Sequence, residues 1–73
     1  VENSVVSRRV YLHQGSEVRS SILFPGVVVH ENAIVEHAIL DKGVEVAAGV
    51  TIRGSLEAPV VVQKGTIVTE DIV

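Results

Sequence analysis

Val27-Val28-Val29 stands 17 residues after Val10-Tyr11-Leu12 and 17 residues before Val44-Glu45-Val46. Spread outward at that offset, the chain lines up Glu2-Asn3-Ser4-Val5-Val6, Arg19-Ser20-Ser21-Ile22-Leu23, Glu36-His37-Ala38-Ile39-Leu40 and Arg53-Gly54-Ser55-Leu56-Glu57. Aliphatic residues recur at steps of six, six and five: Val6, Leu12, Val18, Leu23, Val29, Val35, Leu40, Val46 and Ile52. Two positions earlier runs a second column of Ser4, Val10, Ser16, Ser21, Val27, Ala33, Ala38, Val44 and Val50. Residues two apart on a strand face the same way, so both columns point into one interior. Three short sides then close one coil, and each coil stacks on the last.

The turn chemistry falls between the sides. Gly15, Asn32, Gly49 and Gly65 align at one corner, and Gly26 and Gly43 at another, where Arg9 and Pro59 stand in the outer copies. Glycine and asparagine accept a left-handed backbone at little cost. Short strands, tight corners and a hexapeptide-like period predict an all-β chain, a single-stranded parallel β-helix of about four triangular coils. The coils cover 2–18, 19–35, 36–52 and 53–68, within a single domain over 1–73, and 69–73 form a tail or cap. Stacking at about 4.8 Å puts like side chains over like. Side two then carries Val10, Val27, Val44 and Val60, and side three Ser16, Ala33, Val50 and Thr66.

Copy four is irregular. Glu57 falls where Val6, Leu23 and Leu40 precede it, and a lone buried carboxylate is very unfavourable. A distortion near Ala58-Pro59 that turns Leu56 inward and Glu57 outward is the expected remedy, since terminal repeats are commonly atypical. The chain opens at Val1 already in register by Ser4, and reads as a segment of a longer polypeptide that supplies its cap.

Composition narrows the function classes. With 73 residues, 47% hydrophobic side chains, two aromatic residues and no cysteine, a disulfide framework or thiolate metal site is excluded. No apolar run approaches the ~18 residues of a membrane helix, and none resembles a signal peptide. A net charge of −3 gives no bulk attraction to nucleic acid or anionic lipid.

Outward positions carry the functional candidates. Val5, Ile22, Ile39 and Leu56 make an apolar stripe where a solvated sheet would be polar, and so form the candidate interface. Glu2, Arg19, Glu36 and Arg53 alternate in sign at one corner, as a register-fixing ladder whose exposed pairs are worth ~0.2–1 kcal/mol each. His13 and His30 stack in one column with His37 at the next corner. They read as solvated or Glu31-paired corner residues; a general base or metal site is the functional counterpart, but the spacing gives no compact ligand set. Arg8 and Arg9 are adjacent at the first corner with Lys42 in the column of Arg8, and adjacent arginines grip a phosphate in bidentate fashion. No nucleophile constellation, carboxylate pair or glycine-rich phosphate loop appears, so no catalytic residue and no metal ligand is placed in this chain.

The phrases Glu2-Asn3-Ser4-Val5-Val6, Ser21 to Val29, Ala38-Ile39-Leu40-Asp41-Lys42-Gly43 and Pro59 to Gly65 resemble the carboxy-terminal left-handed β-helix of bacterial glucose-1-phosphate adenylyltransferase (ADP-glucose pyrophosphorylase) and of its regulatory-type paralogue in glycogen biosynthesis. The resemblance implies left-handed winding, which periodicity alone does not give. It implies an amino-terminal catalytic domain elsewhere in a cytoplasmic parent, using ATP and Mg²⁺ to make ADP-glucose and pyrophosphate from glucose 1-phosphate, with no cofactor in this segment. It further implies a β-helix that packs on that domain, joins subunits into a homo- or hetero-oligomer and borders an effector site, for which Arg8 and Arg9 are the phosphate-binding candidates. The alternative is a hexapeptide acyltransferase with His13, His30 or His37 as general base at a trimer interface.

Overall fold

The computed structural model describes residues 4–72. Every regular element among them is a short strand: β1 (Val5–Val6), β2 (Tyr11–Leu12), β3 (Glu17–Arg19), β4 (Ile22–Leu23), β5 (Val28–Val29), β6 (Ile34–Glu36), β7 (Ala38–Leu40), β8 (Glu45–Val46), β9 (Thr51–Arg53), β10 (Val60–Val62) and β11 (Ile67–Val68). They form three parallel walls in the orders β1-β4-β7-β10, β2-β5-β8-β11 and β3-β6-β9. The chain visits the walls in rotation, so each strand pairs with the one three elements later. Val6 lies on Leu23 and Leu23 on Leu40; Leu12 lies on Val29 and Val29 on Val46; Val18 lies on Val35 and Val35 on Ile52.

The interior is the one the two columns prescribe. Leu23, Val27, Val29, Ala33, Val35, Leu40, Val44, Val46 and Ile52 are fully buried. Branched aliphatic residues suit such a pleated, packed surface. Ser21 is the one buried polar residue among the described residues, and it is fully satisfied. Its N–H donates to Ser4 Oγ at 3.2 Å, its Oγ accepts from the Ala38 N–H at 3.1 Å, and its hydroxyl donates to the Arg19 carbonyl at 2.8 Å. A small hydroxyl at this place stitches three coils together on the inner side of the first wall.

The last coil corrects the uniform repeat. Val60, Val61 and Val62 pair with Ala38, Ile39 and Leu40, 22 residues apart and not 17. Residues 55–59 loop out of the coil, closed by the Ala58 N–H on Ser55 Oγ at 3.0 Å. Val62 therefore supplies the buried residue over Leu40, and Glu57 is exposed in the loop. Val60 belongs to the first wall and not the second, where Ile67 and Val68 sit over Glu45 and Val46. Gly65 likewise joins the corner of Gly26 and Gly43, its N–H donating to the Lys42 carbonyl at 2.9 Å. The third wall ends on an isolated bridge from Ile52 to Ile72, so Thr66 is not its last member.

Two corners follow the expected backbone rule, with φ of 63°, 85°, 70° and 75° at Arg9, Gly26, Gly43 and Gly65, and 78°, 60° and 75° at Gly15, Asn32 and Gly49. The third corner departs from it. Ser20 and His37 take φ of 49° and 48° without being glycine, held there by backbone bonds such as the His37 N–H to the Arg19 carbonyl at 3.1 Å.

Candidate interface and ligand-binding surfaces

The outer face of the first wall is a continuous aliphatic column of Val5, Ile22, Ile39 and Val61. It arises because inward-facing neighbours on each strand leave the central residue pointing out. Val5 and Val61 are 61% and 57% exposed. Leu56 is neither turned inward nor in the column: it lies in the loop at 85% exposure. From there it flanks the column, and together with Ile22, Ala38, Ile39, His37 and Pro59 it borders an apolar groove of about 200 Å³. Sequence reasoning missed Val61, although the Val60-Val61-Val62 run repeats the pattern of Val27-Val28-Val29 and was the available signal.

The charged ladder is present from Arg19 onward, while Glu2 lies outside the described residues. Glu36 accepts Arg19 Nη1 at 2.9 Å on one oxygen and Arg53 Nε at 2.8 Å on the other. Arg19 also pairs with Glu17. Hydrogen bonds from Arg53 and then Arg19 hold the Glu36 carboxyl below its ordinary pKa, and Glu36 and Glu17 raise that of Arg19. One carboxylate thus ties three successive coils in register.

His13 and His30 stack face to face, ring centroids 5.1 Å apart and 13° from parallel. His30 Nε2 meets Glu45 Oε2 at 3.0 Å, so its carboxylate partner is Glu45 and not Glu31. His37 is separated from this pair and lines the apolar groove. Among the described residues no three histidine, aspartate or glutamate side chains converge on a point that could hold a metal.

Arg8 and Arg9 lie exposed at the corner between the first and second walls. Among the described residues neither makes an ion pair, unlike Arg19 and Arg53. Lys42 lies in the column of Arg8, and the shifted register of the last coil adds Lys64 to it. A uniform 17-residue offset hides that lysine.

Comparison with known proteins places these surfaces in context. Residues 1–73 match the family described as GlmU-like, C-terminal hexapeptide. The chain is 45% identical over 49 residues to the glucose-1-phosphate adenylyltransferase of Corynebacterium jeikeium (strain K411), covering 67% of this chain and 12% of that protein. It is 42% identical over 82 aligned residues to the glucose-1-phosphate adenylyltransferase of Bifidobacterium adolescentis (strain ATCC 15703 / DSM 20083 / NCTC 11814 / E194a), covering 96% of this chain and 20% of that protein. The chain therefore spans 12% to 20% of the length of these two curated relatives. No solved structure matches it.

Proposed function

The chain belongs to the GlmU-like C-terminal hexapeptide family, and from that premise we propose that it is the left-handed β-helix domain of a cytoplasmic glucose-1-phosphate adenylyltransferase, acting in packing, subunit contact and effector response. The relatives' shared name supports the enzyme class. Their greater length supports a separate catalytic region that takes ATP, Mg²⁺ and glucose 1-phosphate. The metal and the reacting groups are assigned to that region and not to this segment.

The observation that carries the reading is the aliphatic column Val5, Ile22, Ile39 and Val61. A parallel strand with one face in the core and the other in water alternates apolar with polar residues, whereas strands covered on both faces are apolar throughout. The first wall has the second pattern, and the groove beside it adds apolar area. The catalytic region of the same chain, or a neighbouring subunit, is the cover this reading assigns. Arg8 and Arg9 are assigned to an effector phosphate, because paired guanidinium groups match phosphate oxygens bidentately.

Replacing Ile22 and Ile39 together by serine in the intact enzyme tests the reading. Ile22 is exposed and Ile39 half-buried, both outside the buried core, so the expected result is a smaller assembly in sedimentation velocity or a loss of ADP-glucose synthesis with the β-helix still folded. Unchanged sedimentation and activity would remove the interface role, and an unsubstituted full-length parent that forms no ADP-glucose would remove the enzyme assignment.

A further inference from the structure

The outer face of the second wall carries a column of Tyr11, Val28, Glu45 and Ile67, and beside it a column of His13, His30 and Ala47. Leu12 lies on Val29 and Val29 on Val46, so His30 stands over His13 at one strand spacing of about 4.8 Å. The two rings are nearly parallel with centroids 5.1 Å apart, and Ala47, next up the column, is too short to continue the stack. His13 is exposed and His30 half-buried.

Glu45 reaches His30 from the neighbouring column, its Oε2 standing 3.0 Å from Nε2. An ionised carboxylate only accepts, so Nε2 carries the proton and donates it, which leaves the lone pair of the neutral ring on Nδ1. Among the described residues no hydrogen bond occupies that nitrogen, or either ring nitrogen of His13. A histidine whose other N–H is held by a carboxylate has its tautomer and orientation set for a metal, and its free nitrogen is the more basic for it.

We propose that His13 and His30 form a two-histidine site for a divalent d-block cation of the zinc class. Nδ1 of His30 is one ligand, a ring nitrogen of His13 is the other, and water completes the coordination. Zinc–nitrogen bonds of about 2.0–2.1 Å set two such ligands about 3–3.5 Å apart, so the rings tilt together by about 1.5–2 Å at their nitrogen edges. The broad torsion of an imidazole permits that tilt on side chains outside the core. Glu45 is a positioning residue behind the ring and not a ligand, in keeping with the absence, among the described residues, of any cluster of three ligands. Imidazole selects zinc, copper or nickel over the oxygen-seeking Mg²⁺, and the net charge of −3 favours a cation. A bound ion ties the first two coils together on the outside of the second wall, and this holds whether or not the enzyme assignment does.

Carbethoxylation of histidines in the intact protein by diethyl pyrocarbonate, located residue by residue by mass spectrometry, tests the site with zinc chloride and magnesium chloride as probes. Zinc at a concentration that leaves His37 unprotected is expected to slow modification of both His13 and His30 at least about fivefold, and magnesium at that concentration to slow neither. His13→Gln should raise the zinc concentration that protects His30 about tenfold, because the second ligand no longer adds to the first. Glu45→Ala should raise it about tenfold as well, and Glu45→Gln, which keeps an acceptor oxygen, should recover part of that loss. Both positions lie outside the buried core, so the fold is kept. Zinc that protects His37 as readily as the pair, or protection of His30 that His13→Gln leaves unchanged, overturns the site. Protection unaltered by Glu45→Ala overturns the positioning role of Glu45.

Discussion

Gly54 sits against the carbonyl of His37, so closely that a Cβ on it would stand 2.5 Å from that oxygen and 2.7 Å from the Val60 nitrogen. The His37 carbonyl accepts the Val60 N–H at 3.1 Å, and this is the bond that restarts the first wall after the looped-out residues. Gly43 is glycine for a different reason: its φ is +70° and a Cβ there would meet nothing within 4 Å. Asparagine tolerates the left-handed backbone but cannot shed its Cβ. Gly43→Asn should therefore lie within about 0.5 kcal/mol of the parent, while Gly54→Asn costs about 2 kcal/mol or more. Urea denaturation of the two variants measures this, and equal losses would show that the contact at Gly54 is not limiting.

The looped-out residues also explain what could be read in advance. Three coils repeat at 17 with aliphatic residues throughout one inner column and small or aliphatic residues throughout the other, and the three walls and the core from Val18 to Ile52 follow directly. The fourth was obscured because Ser55-Leu56-Glu57 imitates Ser21-Ile22-Leu23 at the expected offset. The misfit of Glu57 to a dry core was visible and physically correct, but the remedy was a loop that carries both Leu56 and Glu57 out and brings in Val60-Val61-Val62. From that shift came the two missed surface residues, Val61 and Lys64. The left-handed backbone of Ser20 and His37 had only a weak sequence signal, the placing of Asn3, His37 and Gly54 in one column with Ser20, because serine does not mark such a corner and tertiary contacts impose it.

This register gives its own prediction. Val62→Ala removes about two buried methyl groups and should cost about 2 kcal/mol, whereas Glu57→Ala should change stability by less than about 0.5 kcal/mol. The reverse ranking in thermal or urea melts would restore the uniform 17-residue repeat.

Glu36 couples stability to pH. Its folded-state pKa is depressed by Arg53 and Arg19, so the folded protein resists protonating it more than the unfolded chain does. The stabilisation is present above the unfolded glutamate value and is lost as pH falls through the lower folded value. Glu36→Gln should accordingly be less stable than the parent at neutral pH, with the difference shrinking through the acid range. A gap that stays constant from neutral pH into that range would mean the carboxylate charge plays no part.

The central claim, that the outer face of the first wall is covered in the intact protein, is tested most directly by thiol accessibility. The chain has no cysteine, and Val61 of the column is exposed within this β-helix, so Val61→Cys and the exposed control Ala48→Cys each place one thiol on it. In the native intact protein the thiol at 61 should react with an alkylating reagent at least about tenfold more slowly than the thiol at 48, and the two rates should converge on unfolding. Equal rates in the native protein would contradict the account.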